Sequence, residues 1–372
     1  MKALARRLLV AGVMMVTAIA PAYSQDLTPR APEIVLMQGN APSPVGMPTA
    51  AFEGNANPAR SYVIADALIW TRSMTNGPLF VNNITGATVI DTRSVMRFDW
   101  TAAPKVTLGL GLGDGLSAEI CWFGFYDFRA RGTSGPFNAD TANIAALPFR
   151  NGPLLAFNVG DTQRYDYRSR LTNAELNARQ QVNDRLSVLV GFRYLNLAEQ
   201  FNGNLIMADG TPFGNYGVRT QNNLWGGQLG ADYALPLTDR LSLAANGKAG
   251  IFGGAESQST SGSFLGGFAP DTPIFNQRGV QTGVVPGAPI SAERRASSCH
   301  VAFVGEVGLT LTYKVTERLS LRGGYNLMWI DGVALAPNQF TTSNFAPGGA
   351  GGINTRGNLF MHGAVVGLDF RF

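Results

Sequence analysis

The sequence predicts an all-β fold, a transmembrane antiparallel up-and-down β-barrel of about ten strands. Polar and apolar residues alternate along many segments, and four tight turns carry variants of one short motif. No apolar run after residue 24 reaches the roughly 20 residues that a membrane-spanning helix needs. Alternation with a period of two sends successive side chains to opposite faces, so one face of each strand can meet lipid while the other lines a lumen.

The clearest hairpin covers residues 173–199, with a turn at Asn183-Asp184, two residues that tolerate the backbone of a short hairpin. After the turn, every second residue is large and apolar: Leu186, Val188, Val190, Phe192 and Tyr194. The turn motif Asp184-Arg185-Leu186-Ser187 recurs as Asp239-Arg240-Leu241-Ser242, Glu317-Arg318-Leu319-Ser320 and, more loosely, Asp114-Gly115-Leu116-Ser117. Each copy ends one strand and begins the next, which indicates a repeated hairpin.

The first 59 residues differ from the rest of the chain. Residues 1–24 have the pattern of a secretory signal peptide, with Lys2, Arg6 and Arg7 before an apolar core and a predicted cleavage after Ser24. A single membrane anchor is the alternative, although the apolar run is short for one. Residues 25–59 are rich in Pro and Gly and predict a periplasmic tether without fixed structure, with an ordered plug as the alternative. Residues 60–372 are predicted to form the barrel.

Composition favours the envelope over nucleic acid. Charged residues make up 15% of the chain, below the roughly 25% of soluble domains. The formal net charge of +4 comes mostly from the leader, because removing its three basic residues from the 29 Lys and Arg leaves 26 against 25 Asp and Glu. We therefore expect the outer membrane of a Gram-negative-type envelope as the location, and outer-membrane lipid and the barrel-assembly machinery as partners. Nucleic acid is not expected, and the sequence does not predict an oligomeric state.

The alternation predicts ten strands, at 61–71, 95–112, 115–129, 163–182, 185–199, 218–235, 240–252, 294–315, 318–330 and 356–372. Short turns then fall near 113, 183, 238 and 316, and long loops at 72–94, 130–162, 200–217, 253–293 and 331–355. Short periplasmic turns and long extracellular loops are typical of bacterial outer-membrane barrels. Twelve strands would result if 79–92 or 201–214 paired as a further hairpin.

Two parity features qualify this prediction. The second predicted strand has its large apolar residues at even positions such as Met96 and Phe98, so these side chains are expected to face outward. In the fourth predicted strand, the apolar residues change between odd and even positions near Thr172. The change predicts either a bulge or the rise of residues 164–170 beyond the membrane into solvent, and the second is favoured. Aromatic residues on the strands are expected to form girdles at the lipid headgroups: Trp70, Trp100, Trp122, Trp225, Trp329, Tyr194, Tyr233 and Tyr313.

Parity also predicts which charged side chains line the lumen. Seven acids are placed inside, namely Asp66, Asp99, Glu119, Asp127, Asp232, Glu306 and Asp369. Seven bases are placed inside with them, namely Arg97, Lys105, Arg129, Arg193, Lys248, Arg322 and Arg371. Small barrels fill their interiors with side chains, so a balanced set predicts interlocked ion pairs, either as a structural plug or as the wall of a narrow, weakly selective pore.

The residues needed for catalysis or metal binding are scarce. Only His300 and His362 are available, and neither belongs to a hydrolase pattern, so we expect no enzymatic activity and no cofactor. His300 is predicted to face inward as a lumen or rim residue. Cys121 is predicted to face inward and Cys299 outward, so two free thiols are favoured over a disulfide, and two cysteines do not suggest a metal cluster.

Several segments resemble β-barrel porin family seven, known mainly from planctomycete outer membranes. They are 65–70 (ADALIW), 175–179 (ELNAR), 189–199 (LVGFRYLNLAE), 223–231 (NLWGGQLGA) and 323–329 (GGYNLMW). The resemblance implies an outer-membrane barrel and no enzymatic activity. The chain also ends in Phe370-Arg371-Phe372, which is similar to the signal read by the barrel-assembly machinery.

Three functions follow as expectations. The first is passive passage of small polar solutes or ions through a narrow charged lumen. The second is a closed structural barrel that displays extracellular loops for adhesion or partner binding. The third, a hydrolase sited at the rim, would depend on His300.

Overall fold

Ten antiparallel strands close into a barrel, which confirms the predicted fold class and strand number. The computed structural model describes residues 61–82, 85–140, 145–149, 158–264, 272–275, 281–285, 290–345 and 348–372. The predicted signal peptide (1–24) and tether (25–59) lie outside the described residues.

The described elements follow one another in a simple order. The strands are β1 (Tyr62–Arg72), β2 (Pro78–Asn82), β3 (Thr88–Asp91), β4 (Thr101–Gly113), β5 (Leu116–Ser134), β6 (Ala145–Ala146), β7 (Thr162–Gln181), β8 (Leu186–Ile206), β9 (Pro212–Pro236), β10 (Leu241–Phe264), β11 (Thr272–Phe275), β12 (Gln281–Val285), β13 (Ile290–Lys314), β14 (Leu319–Val333) and β15 (Gly357–Arg371). A helical turn α1 (Thr92–Val95) precedes β4, and a 3-10 helix (Ala336–Gln339) follows β14. Within the described part of the chain, no helix is long and apolar enough to cross a bilayer.

The barrel runs β1-β15-β14-β13-β10-β9-β8-β7-β5-β4, and it closes because β1 pairs with both β15 and β4. Two small sheets, β3-β2-β6 and β11-β12, belong to the loops. Residues 79–92 therefore contribute to a loop sheet, not to the wall, and residues 201–214 extend the existing strands β8 and β9. This is why the barrel has ten strands and not twelve.

The recurring turn motif has a physical basis in the residue that precedes it. The Asn183 side-chain oxygen accepts hydrogen bonds from the backbone N–H groups of Arg185 and Leu186, both at 2.9 Å. The hydroxyls of Thr238 and Thr316 accept in the same way from the residues two and three positions later. Such side-chain-to-backbone bonds favour a tight turn. We call this end of the barrel the short-turn end and the opposite end the loop end.

Two of the predicted long loops are shorter than expected. The predicted loop at 200–217 is mostly strand, because β8 continues to Ile206, β9 begins at Pro212 and only a tight turn joins them. Likewise, residues 253–264 extend β10, and residues 290–293 belong to β13. Six strands, β5, β7, β8, β9, β10 and β13, consequently rise well beyond the other four at the loop end.

The chemistry of the wall reverses along these long strands. In the half near the short turns, outward residues such as Leu176, Phe192 and Leu309 are apolar and exposed. Near the loop end of β7, Tyr165 and Tyr167 are buried inside while Arg164 is exposed outside. The β7–β8 register runs from 162 to 181 without a shift, so β7 contains no bulge. The parity change at Thr172 therefore marks a change of surroundings, as the favoured alternative predicted. We call the first half the membrane belt and the second the upper barrel.

A bulge is present in β5 instead. Phe125 pairs with Leu171 and Phe128 with Ser169, so one extra residue lies between them on β5. A single inserted residue moves every later side chain to the other face of the wall.

The aromatic girdles are present with one exception. The side chains that lie at least partly exposed on the outer face are Trp100, Trp122, Trp225, Trp329, Tyr194, Tyr233 and Tyr313. The prediction that Trp70 belongs to a girdle is wrong. Its side chain points inward, is 1% exposed and packs on Phe123 and Phe125. Its neighbours on the inner face, Leu68 and Arg72, are also buried.

The position of the membrane belt gives a testable prediction. Leu309 is 55% exposed on the outer face of β13, near the middle of the belt. Leu309→Arg should lower the free energy of unfolding by about 2–4 kcal/mol, because a charge at the bilayer midplane has few solvating groups. Denaturant titration of the barrel folded in lipid vesicles measures the change.

The matched control lies on the same face of the same strand. Ser297→Arg is in the upper barrel, where the outer face meets water, and should change the unfolding free energy by less than about 1 kcal/mol. Equal losses at Leu309 and Ser297 would show that the belt has been placed wrongly.

Candidate functional site

The interior of the membrane belt is a polar vestibule that begins at the short-turn end. It forms a cavity of about 160 Å³. At its mouth, Arg371 Nη2 lies 3.0 Å from Asp369 Oδ2, and Arg322 Nη1 lies 4.0 Å from Asp66 Oδ2. Acids and bases therefore alternate around the entrance.

A second layer of charge lies deeper in the vestibule. Arg179 on β7 donates to both Glu119 carboxylate oxygens, at 2.6 and 3.1 Å, and also to Asp232 on β9. The Tyr62 hydroxyl donates to Glu119 as well. The Tyr62 ring lies over Gly109 of the neighbouring strand β4, where a Cβ atom would overlap the ring. One arginine thus joins strands β5, β7 and β9 across the lumen.

The third layer is a buried four-residue cluster that we call the central charge cluster: Glu175, Arg193, Lys248 and Glu306. Lys248 Nζ lies 2.9 Å from Glu175 Oε2, and Arg193 Nε lies 3.7 Å from Glu175 Oε1. Arg193 Nη1 lies 3.3 Å from Glu306 Oε2. The cluster is electrically balanced, and Arg193 is 1% exposed.

Amide side chains complete the central charge cluster. Asn173, Asn177 and Gln228 each donate to the Glu175 carboxylate, at 3.1, 3.1 and 2.9 Å. Asn173 also accepts from Arg193 Nε at 2.5 Å. A buried carboxylate needs such bonds, since burial removes the water that would otherwise solvate it. The cluster therefore narrows the lumen with groups that largely satisfy one another, and Arg193 Nη2 is the one of its fully buried polar atoms left without a hydrogen-bond partner in the described chain.

Above the central charge cluster the interior becomes rich in apolar side chains and contains one further ion pair. Arg72 Nη1 lies 2.5 Å from Glu199 Oε1, and Tyr167 donates to the other Glu199 oxygen at 2.7 Å. The Arg72 guanidinium also lies 4.5 Å from the centre of the Phe98 ring. Around this pair the inner wall is lined by buried aromatic side chains: Trp70, Phe123, Phe125, Phe128, Phe201, Tyr216 and Phe264.

A segment between β14 and β15 folds into this apolar interior. We call residues 334–345 the cap. The Ala334 N–H donates to Asn222 Oδ1 at 2.7 Å and its carbonyl accepts from Asn222 Nδ2 at 2.9 Å. The Ala336 N–H donates to Glu199 Oε2 at 2.8 Å. Phe340 is fully buried, with its ring centre 4.9 Å from that of Phe201. The cap closes the barrel above the Arg72–Glu199 pair.

One carboxyl group of the upper barrel lacks such support. Glu256 on β10 is buried, and neither of its carboxylate oxygens has a hydrogen-bond partner among the described residues. Burial raises the pKa of this carboxyl group.

Of the fourteen charged residues predicted to line the lumen, ten face inward and four face outward. Ten lie on the inner wall, in the vestibule or the central charge cluster: Asp66, Lys105, Glu119, Arg193, Asp232, Lys248, Glu306, Arg322, Asp369 and Arg371. Their role in a pore or a plug stays a prediction.

The other four lie on the outer face, which corrects their assignment. Arg97 and Asp99 are exposed because β4 begins only at Thr101, and the inward residues of the preceding segment are Met96 and Phe98. Asp127 and Arg129 face outward because the β5 bulge reverses the parity beyond Phe125.

Several interior residues were missed by the prediction. Glu175 and Arg179 share the parity of Asn173 and Asn177, so the polar face of the fourth predicted strand already indicated them. Glu199 and Arg72 are surrounded by apolar inward-facing residues, and nothing in the local sequence indicates that these two side chains form an ion pair.

The remaining candidates lie apart from one another. His362 faces outward and shares a 2.6 Å hydrogen bond with the Tyr325 hydroxyl, while His300 is exposed in the upper barrel. Neither histidine forms a close ion pair with a carboxylate among the described residues, although the charge of His300 acts on the Glu256 carboxyl group. Cys121 is buried, Cys299 is exposed and both are free. The described residues contain no group of three His, Cys, Asp or Glu placed to hold a metal ion.

The C-terminal aromatic residues lie on the lipid side. Phe370 and Phe372 are exposed on the outer face, with ring centres 5.6 Å apart. Their role as an assembly signal stays a prediction.

One comparison with known proteins identifies a barrel family. The family model described as Putative beta barrel porin-7 matches residues 128–372. No curated protein is similar enough to the chain to count as a match.

Solved structures match the chain at low identity and low TM-score. The outer membrane protease OmpT from Escherichia coli is 11% identical, with 85% of this chain and 98% of that chain covered and a TM-score of 0.43. The P. putida toluene transporter TodX is 12% identical, with coverage of 87% and 92% and a TM-score of 0.31. The translocator domain of autotransporter NalP from Neisseria meningitidis is 11% identical, with coverage of 85% and 90% and a TM-score of 0.35. These likenesses carry no argument about activity.

The central charge cluster gives a second testable prediction. Glu175→Gln should lower the free energy of unfolding by about 3–5 kcal/mol, because it leaves Lys248 and Arg193 buried with one carboxylate fewer. Adding Lys248→Met should recover part of the loss, since it restores the charge balance. Denaturant titration in lipid vesicles measures both variants.

The control is an exposed ion pair of the upper barrel. Glu293→Gln removes the partner of Arg295, and both side chains are largely exposed. This change should lower the free energy of unfolding far less than Glu175→Gln does, because solvent screens an exposed ion pair. A Glu175→Gln loss as small as that of Glu293→Gln would mean that water reaches the cluster and that the charges are not buried.

Proposed function

Because the chain belongs to the beta barrel porin-7 family and is an outer-membrane β-barrel, we propose that it passes small polar solutes or ions and that the conformation described here is closed. The observation that carries this proposal is the combination of a polar vestibule at one end of the barrel and, at the other end, a cap formed by the chain itself. The vestibule opens at the short-turn end, which we assign to the periplasm. Passage then requires the cap to leave the upper barrel.

The vestibule supports a polar solute of either charge. Its wall presents Asp66, Glu119 and Asp369 together with Lys105, Arg322 and Arg371. A lumen lined by one sign of charge selects ions of the other sign, whereas a mixed wall selects weakly. We therefore propose weak charge selectivity.

The anchoring of the cap supports a closed ground state that can open. Its polar anchors to the wall include Asn222, Glu199 and Gln258. Each such hydrogen bond contributes only about 1 kcal/mol, or up to about 3 kcal/mol where the acceptor is charged. Phe340 adds the largest apolar contact, of the order of 3–5 kcal/mol. An element held by a few contacts of this size can open while the strands stay paired.

A second candidate function is a permanently closed structural barrel that presents its upper barrel and loops to a partner. The observation that favours it is the burial of Glu175, Arg193 and Glu306 in the central charge cluster and of the aromatic layer above it. In this case the cap is a permanent part of the core.

Conductance separates the two functions. In planar bilayers, the refolded mature chain (25–372) should show rare openings. A variant in which residues 336–345 are replaced by a Gly/Ser linker should show frequent discrete current steps, because the linker cannot rebuild the contacts of Phe340 and Ala336. Heat-modifiable gel mobility checks that each barrel has folded.

The control is Asp209→Ser in the exposed turn between β8 and β9, which should conduct like the unchanged chain. Discrete steps from the linker variant alone support a capped pore. Silence from a folded linker variant overturns the proposal and leaves the structural barrel.

A further inference from the structure

We propose that a group of arginine side chains on the outer wall, next to the membrane belt, binds the phosphate groups of outer-leaflet lipids. We call this group the arginine patch: Arg129 and Arg131 on β5, and Arg168 and Arg170 on β7. All four alternate with buried inward residues, namely Phe128, Ala130, Tyr167 and Ser169. The patch therefore points away from the lumen and is independent of whether the lumen conducts.

The strand register brings these charges together. Arg129 lies directly opposite Arg168, and Arg131 lies opposite Asp166. Arg170 follows two residues after Arg168 on the same face. Directly opposite residues in an antiparallel pair have Cβ atoms only about 5 Å apart, and like charges at that distance destabilise a sheet. The patch therefore needs counter-charge.

The protein supplies only part of that counter-charge. The Asp166 carboxylate accepts from Arg129 at 2.9 Å, from Arg131 at 3.3 Å and from Arg168 at 3.0 Å. Desolvation raises the pKa of Asp166, but the bonds from Arg129 and Arg168 outweigh it and hold the pKa below its usual value. One charged carboxylate thus serves three guanidinium groups.

The surrounding charges leave the patch positive. The Arg170 side chain has no hydrogen-bond partner among the described residues. Exposed Arg97 lies on the neighbouring segment, which bridges to β5 through Phe98 and Ala130. Asp99 and Asp127 lie on the same outer face, but neither carboxylate bonds to a patch arginine within the described chain. Five arginines therefore face three acids.

The height of the patch on the wall indicates what supplies the missing negative charge. Tyr126, 54% exposed on the outer face, lies three residues before Arg129. Exposed Trp100 lies on the entry to β4, with its ring centre 5.8 Å from that of His362. These rings mark the edge of the membrane belt. Three residues of a tilted strand span roughly 8 Å, so the guanidinium groups reach the level of lipid headgroups.

The chemistry of arginine favours phosphate. A guanidinium group offers a planar fork of donors that matches two phosphate oxygens, and the patch contains no lysine. Because the patch adjoins the lipid-facing surface and faces sideways, the occupant is a phosphate-bearing lipid headgroup. A dissolved anion has the same chemistry, so the test has to separate the two sources.

The test measures lipid retention by the refolded mature chain in detergent micelles. Diphosphoryl lipid A is titrated and bound lipid is counted by native mass spectrometry, with dephosphorylated lipid A and inorganic phosphate as the other two probes. The triple variant Arg129→Gln, Arg168→Gln, Arg170→Gln should bind diphosphoryl lipid A about tenfold or more weakly, because charge-assisted bonds to phosphate are lost.

The matched control removes the same charge elsewhere on the same outer wall. This control is the triple variant Arg164→Gln, Arg219→Gln, Arg295→Gln, whose positions lie higher in the upper barrel. It should bind lipid like the unchanged chain. Gel mobility before and after heating checks the folding of both variants, and Arg170→Gln alone, which breaks no bond seen in the described chain, tests binding if the triple variant fails to fold.

Selective loss in the patch variant, together with weak binding of dephosphorylated lipid A, supports the proposal. Equal binding of the two lipids overturns it, as does an equal loss in patch and control variants. Displacement of the lipid by inorganic phosphate at millimolar concentration would also overturn it, because the patch would then be a site for free anions.

Discussion

A backbone amide in hydrocarbon has no water to bond with, so a sheet that crosses a bilayer has to close on itself. Here β1 meets this constraint by pairing with β15 on one side and β4 on the other. Closing only ten strands leaves a narrow interior, and inward side chains have to fill it. Because the outer face must be apolar, the alternation of each strand places most polar residues inside, where they have to satisfy one another. The layered ion pairs of the lumen follow from the closure of the wall.

The same strands then leave the lipid and enter water, and their chemistry reverses. On β7, the inner face changes from Glu175 and Asn177 in the belt to Tyr165 and Tyr167 in the upper barrel. The upper barrel resembles a soluble protein, with an apolar core inside and charges outside. This is why the cap can fold into it: a segment with Leu335 and Phe340 finds apolar partners there that the vestibule does not offer.

The fold was predictable from sequence because alternation and turn chemistry are local. The strand ends at the short turns, the positions of those turns and the inward direction of Glu119 and Asp369 follow from residues near in the chain. The extension of β8, β9 and β10 toward the loop end was not predicted. Arg129 was not predictable, because the bulge that reverses its parity shows only in the pairing of β5 with β7. The inward direction predicted for Arg97 was wrong for a related reason. The apolar alternation begins several residues before β4 does, so it suggested a strand where the chain has not yet entered the barrel wall.

The ion-pair partners inside the lumen could not be predicted from the sequence for a different reason. Parity indicates that Arg193 and Glu306 face inward, but they lie 113 positions apart on strands that are not neighbours. Which side chains meet across a barrel depends on the register summed over all the strands between them. A one-residue error in any hairpin changes every pair, so the faces could be predicted and the contacts could not.

Charge balance differs between the two sides of the wall, and this difference has a physical cause. In the central charge cluster two acids meet two bases, because an excess charge there has no water to solvate it. On the outer wall at the loop end, the arginine patch keeps an excess of positive charge beside a single bonded carboxylate, Asp166. Such an excess is tolerable only where a mobile counter-charge can reach it, either water with ions or the headgroups of the leaflet. The lumen therefore balances its charges within the fold, although Arg193 Nη2 and Asp66 Oδ1 have no hydrogen-bond partner in the described chain. The outer wall instead carries charges that its surroundings complete.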